Sequence, residues 1–114
     1  MNGRQDITDF FAKRGWSVPW SRIKLIKDGW WLNLSRRFCG NDSTAATLFS
    51  EIHYQEPLSD AVFVHEIVHI WQQEKEKGFV LNYVKAHLSK GYWNNPYEAE
   101  ARELSAEFMK GDKG

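Results

Sequence analysis

Hydrophobic and polar positions follow a helical period at the start of the chain, then an alternating one, then a helical one again. The opening stretch DITDFFAKRGW reads as a short helix, capped by Asp6 or Thr8 and ended at Gly15, and Pro19 breaks the chain after it. RIKLIKDGWWLNLS holds two alternating runs about Asp28-Gly29, a dipeptide that favours two-residue hairpin turns, so a β-hairpin is expected there. RRFCGNDSTAA is polar and contains Gly, which marks a turn or loop. TLFSEIHYQE alternates again, with Leu48, Ser50, Ile52 and Tyr54 on one face and Phe49, Glu51, His53 and Gln55 on the other. Pro57 closes that strand.

From Asp60, a plausible N-cap, Phe63, Val64, Ile67, Val68 and Trp71 recur at helical spacing and make one apolar face. The alternating EKEK is a solvated last turn, and Gly78 suits the position after a helix end. FVLNYVKAHLSKG reads as a second helix ending at Gly91. NNPYEAEARELSAEFMK reads as a third, with Asn95 as N-cap and Pro96 at its first position. Helix, about three short strands, then two or three helices imply an α+β fold in which a small antiparallel sheet packs on helices.

Composition narrows the function classes. The 114 residues suit one domain spanning 1–114, and 42% hydrophobic residues with six Trp and seven Phe suffice for a core. The 15 basic and 15 acidic residues cancel, so no bulk field draws the chain to nucleic acid or an anionic membrane. Cys39 is the only cysteine, which excludes an internal disulfide framework. The N-terminal residues carry charges where a signal peptide needs an apolar run, and no stretch approaches a membrane span of roughly 20 residues. A cytoplasmic location is the default expectation, and the sequence carries no signal of oligomeric state.

The chemistry concentrates in AVFVHEIVHIWQQ, residues 61–73. On a helix His65 and His69 stand one turn apart on one face, away from the Phe63, Ile67 and Trp71 stripe. Two imidazoles so placed can share a metal, and Zn2+ is the usual ion for nitrogen donors with an open fourth position. Glu66 is rotated about 100° from His65, near enough to act on a metal-bound water as a general base. An amphipathic helix carrying these residues on a solvent edge would explain any one of them, and explains the three in order less well. Gln72 and Lys75 stand where the metzincin continuation requires Gly and His, so that subclass is excluded. His53, on a polar strand face, is expected at the surface, and His87, with no partner at ligand spacing, at the surface or between helices. The acidic start of the last helix, NPYEAEARE, is the better source of a third ligand.

HEIVH followed by a separate helix bearing E-A-E-A resembles the gluzincin branch of zinc metallopeptidases, and HEIVHIWQQ with NPYEAEA resembles small bacterial zincin-like domains called minigluzincins. The likeness covers the second half of the chain well and the first only in outline. It implies that Glu98, the first Glu of E-x-E-A, completes a zinc site with His65 and His69. It also implies that the strand before the helix, Leu48 to Gln55, edges the cleft and pairs with a peptide or protein substrate through residues such as Ile52 and Tyr54. Glu98 is also the third residue of its helix, where a Glu is favoured for capping alone. Glu100, Glu103 and Glu107 are expected to be solvated.

This chain departs from the pattern in one place. Arg102 stands where many relatives carry an Asp that orients a ligand histidine, and an Arg accepts no hydrogen bond. The expected reaction is peptide hydrolysis, with Glu66 moving the proton and Tyr92, Tyr97 or Tyr83 as donor to the developing oxyanion. The competing reading is a zinc-binding scaffold with little or no turnover, and a purely structural zinc module ranks below both because it leaves Glu66 without a reason to follow His65.

Overall fold

The run from Leu48 to Gln55 is not one strand. Phe49 adopts a left-handed φ of 55° and turns the chain, so that Ala45–Leu48 (β2) and Glu51–Tyr54 (β3) form an antiparallel hairpin. Lys24–Lys27 (β1) pairs with the other side of β3 in parallel, Leu25 opposite Ile52. The sheet order is therefore β1-β3-β2, and the sheet is mixed rather than antiparallel. The computed structural model describes residues 3–39 and 44–111, and among them five helices accompany these three strands. The fold is α+β.

The hairpin expected about Asp28-Gly29 does not form. Asp28 does turn the chain with a φ of 53°, but Trp30–Cys39 (α2) follows as a helix, beginning with the Leu32 amide donating to the Gly29 carbonyl at 3.1 Å. Glycine serves here for close approach: a Cβ on Gly29 would lie 1.9 Å from Nδ1 of His53. The polar loop expected around 36–46 falls partly on residues 40–43, outside the described ones, while Arg36 and Arg37 extend α2 and Ala45 and Ala46 open β2.

Gln5–Ala12 (α1) is not capped by Asp6 or Thr8. Its N-cap is Arg4, whose guanidinium bridges Asp6 at 2.8 Å and Asp60 at 2.6 Å and so ties the start of α1 to that of Asp60–Lys75 (α3). Ser59, not Asp60, caps α3 by accepting from the Val62 amide. The α3 helix is buried on most of its circumference. Phe63, Val64, Ile67 and Val68 join Ile7, Phe10 and Phe11 of α1, Ile52 of β3, and Ala101 and Phe108 of Pro96–Met109 (α5) in one core. Ala101 presents only a methyl group between the axes, and Ser105 Oγ donates to the Ala61 carbonyl at 2.6 Å, so α3 and α5 pack closely.

Phe79–Asn94 (α4) starts at left-handed Gly78, which caps α4 instead of ending α3, and is broken at Gly91, with φ 79° and ψ 173°. The helical run thus ends where the sequence places a stop. Asn95, fully buried, accepts from the Tyr97 amide as N-cap of α5 and donates to the Tyr83 carbonyl, and this fixes the entry of α5 against α4. Among the described residues no helix is long and apolar enough to cross a membrane.

Candidate metal centre

The close packing of α3 on α5 brings two short sequence segments into contact. From α3, His65, Glu66 and His69 present donor atoms that all lie within 4.8 Å of one another. From the first turn of α5, Glu98 belongs to the buried stripe Glu98, Ala101, Ser105 and Phe108 that faces α3. Its Oε1 lies 2.8 Å from His65 Nε2 and 3.2 Å from His69 Nε2. Tyr83 of α4 donates to its other oxygen at 2.5 Å. Two donors on one tetrahedral zinc stand about 3.4 Å apart, given bonds of about 2.1 Å. The His65 contact is about 0.6 Å and the His69 contact about 0.2 Å shorter than that spacing, so the donor set suits such an ion in chemistry and reaches it with a small outward shift of the side chains.

The two carboxylates are held in opposite electrostatic states. Burial alone would raise the Glu98 carboxyl, but the charge of His69 and the hydrogen bonds from His65 and His69 outweigh it and hold the group well below the usual range. Burial would lower His69, yet the Glu98 charge and hydrogen bond, with Glu66 and Gln72, raise it to about 9. Glu66 goes the other way: burial pushes its carboxyl up against the pull of the two imidazoles. Thr47 Oγ1 of β2 donates to Glu66 Oε1 at 2.9 Å and fixes the carboxylate beside the pair. One carboxylate kept ionised and another inclined to accept a proton are what a ligand and a base respectively require.

Gln72 fills the orienting role for which Arg102 is unsuited. Its amide nitrogen lies 2.9 Å from the Tyr97 carbonyl and 2.8 Å from Glu100 Oε1, both pure acceptors. That leaves its oxygen facing His69 Nδ1 at 2.8 Å, so Nδ1 carries a proton. In the neutral ring Nε2 then holds the lone pair and points at Glu98, as a metal-ligating histidine must. Glu100 is consequently not a plain solvated residue. Neither Gln72 nor Thr47 is apparent as a site residue from the sequence; Gln72 sits one turn beyond His69, the only available cue, and Thr47 gives none.

A cleft runs past these residues in two arms that share Ala45, Glu66 and Tyr92. The arm beside His69 has a volume of about 370 Å³ and an apolar wall of Trp31, Leu34, Phe49, Phe79, Val80 and Val84. The arm beside His65 is walled by Val62, Arg102, Ala106 and Met109. Of the tyrosines considered as oxyanion donors, Tyr92 lines both arms and Tyr83 lines the first. Tyr97 does not reach the cleft; its hydroxyl donates to Glu76 at 2.5 Å, a contact that raises its pKa.

Ile52 and Tyr54 do not sit on an edge either. They belong to the central strand, paired on both sides, and Ile52 is fully buried in the core. The edge is β2. The Gln55 amide donates to the Thr44 carbonyl, so alternation turns the N–H and C=O of Ala45 and Thr47 away from β3. Trp31 Nε1 already donates to the Thr47 carbonyl at 3.1 Å, which leaves Ala45 as the edge residue in both arms. His53, expected at the surface, is fully buried, with Nε2 3.0 Å from Glu51; His87 is half-buried on α4 and stands apart from the cluster.

The chain matches no family model, no curated protein and no solved structure. The functional reading therefore rests on the geometry of the site.

Proposed function

We propose that this chain is a zinc-dependent peptidase of gluzincin type, with His65, His69 and Glu98 as ligands and Glu66 as general base. The observation that carries the reading is the convergence of both Nε2 atoms on the Glu98 carboxylate beside a separately held, buried Glu66. Zinc held there would lower the pKa of a bound water to about 7 and polarise the carbonyl of the bond to be cut. Glu66 Oε1 is occupied by the Thr47 hydroxyl, which leaves Oε2 to take a proton from the attacking water. Glu66 then delivers that proton to the amine nitrogen as the C–N bond breaks. Ala45, on the outer edge of β2, supplies backbone groups for a substrate strand, and Tyr92 is the tyrosine that lines both arms.

Metal analysis of the purified chain, paired with casein and peptide-library cleavage with and without chelator, tests this. About one zinc per chain and chelator-sensitive cleavage are expected. Zinc without cleavage would make the domain a binding module, and loss of neither metal nor activity on replacing both histidines would overturn the site.

A further inference from the structure

Arg102 lines the His65 arm of the cleft together with Glu66 and Tyr92. The guanidinium lies 4.0 Å over the Trp93 ring, and its Nη2 donates to the Trp93 carbonyl at 2.6 Å. Nη1 is buried and has no hydrogen-bond partner, and among the described residues no carboxylate pairs with the group. The acid one turn back on α5 is Glu98, whose oxygens are taken by His65, His69 and Tyr83. A buried N–H without an acceptor is left with its desolvation cost uncompensated. Such a group beside a reactive centre is where a ligand's acceptor is expected.

We infer that Arg102 is a specificity residue that takes a substrate carboxylate on the His65 side of the metal centre. The inference rests on the peptidase reading for the identity of the ligand as a peptide. The planar fork of arginine matches a carboxylate bidentately, and the Trp93 face and carbonyl hold it in one orientation, so little freedom is lost on binding. It also gives Trp93, 68% exposed, a purpose as the platform under that cation. The opposite arm, walled by apolar side chains, offers no equivalent cation. The cleft is thus polarised, with an apolar side chain favoured on one side of the scissile bond and an anion on the other. The anion is either an Asp or Glu side chain or a peptide C-terminus.

The experiment uses the zinc-loaded Glu66→Gln chain, which retains the ligands but not the base, and three short peptides of one apolar sequence. One carries an acidic residue with an amidated C-terminus, the second has Gln there with a free C-terminus, and the third is neutral and amidated. One of the two anionic peptides should bind at least about tenfold more tightly than the neutral one, and which of them does so identifies the source of the carboxylate. Arg102→Met, which keeps the stem on Trp93, should erase that preference at equal zinc content, and Arg102→Lys should restore it in part. Equal binding of all three peptides, or a preference that survives Arg102→Met, overturns the assignment. The same peptides given to the Glu66-bearing chain separate the two readings: a binding preference without cleavage keeps Arg102 and removes the peptidase, whereas cleavage without preference does the reverse.

Discussion

Gln72 presents its side-chain oxygen to His69 Nδ1 at 2.8 Å, one turn further along the same helix. Because Tyr97 and Glu100 occupy its amide nitrogen, the amide cannot flip without facing two acceptors with an oxygen. Gln72→Leu should therefore weaken zinc binding about 10–100-fold, the usual effect of losing an outer-shell partner. Glu100→Ala should give a smaller loss, since the Tyr97 carbonyl still holds the amide. Competition against a calibrated chelator measures both, and equal affinity of the parent chain and Gln72→Leu would remove the orienting role.

Glu98 and Glu100 are two residues apart and look in different directions, one at the imidazoles and the other at Gln72. Glu98→Ala should reduce zinc affinity by more than any outer-shell substitution and end turnover. Tyr83→Phe should leave the metal in place but loosen the carboxylate it tethers. Elemental analysis after gel filtration distinguishes these cases, and the reverse ranking of Glu98 and Glu100 would shift the register of α5.

Glu66 should be separable from the ligands. Glu66→Gln is expected to keep zinc and abolish cleavage, because an amide cannot take the proton. Thr47→Val removes the hydroxyl that fixes Oε1 and should lower kcat with little change in metal content. Wild-type turnover in Glu66→Gln would sink the mechanism.

The helical half of the chain was legible because its signals are local. The His65–His69 spacing, the Asn95 cap with Pro96, and the stop at Gly91 all depend on residues within a turn or two of each other. The sheet was not legible for the opposite reason. Alternation from Leu48 to Tyr54 is preserved across the two-residue turn at Phe49 and Ser50, so two strands read as one. The short run after Gly29 suits a strand as well as a helix until β3 claims β1 as a parallel neighbour. The site divides in the same way: His65, Glu66 and His69 follow from one turn of helix, whereas Thr47 and Gln72 become site residues only through contacts with Glu66 and with α5.

Without metal, the buried His69–Glu98 pair should make stability depend on pH. His69 is raised from 6.5 to about 9 in the folded chain, so its contribution is complete below about pH 6.5 and is lost as pH rises through 9. Glu98 is depressed, so its contribution is present above its unfolded value of 4.5 and is lost only on strong acidification. The metal-free chain should lose stability as pH rises from about 6.5 through 9, with the raised Glu66 carboxyl acting in the same direction. Thermal melts in excess chelator from pH 5 to 9 measure this. His69→Gln should flatten the alkaline decline, and an unchanged decline in that variant would place its origin elsewhere.

Gly29 and His53 supply a test of the fold away from the chemistry. A methyl group on Gly29 would lie 1.9 Å from Nδ1, 2.6 Å from Cγ and 2.9 Å from Cβ of His53, so it meets the rigid root of the ring and not a mobile tip. His53 cannot yield easily, since it is fully buried on the central strand, with Trp30 edge-on at 5.9 Å. Gly29→Ala should thus destabilise by about 1–3 kcal/mol, as overpacking does. His53→Ala alone should also destabilise by leaving a cavity, but Gly29→Ala added to it should cost little, because the ring it struck is gone. Denaturant unfolding of the two single variants and the double variant measures the coupling directly. Additive losses would mean that Gly29 is required for its backbone conformation at the start of α2, and that contact with His53 is incidental.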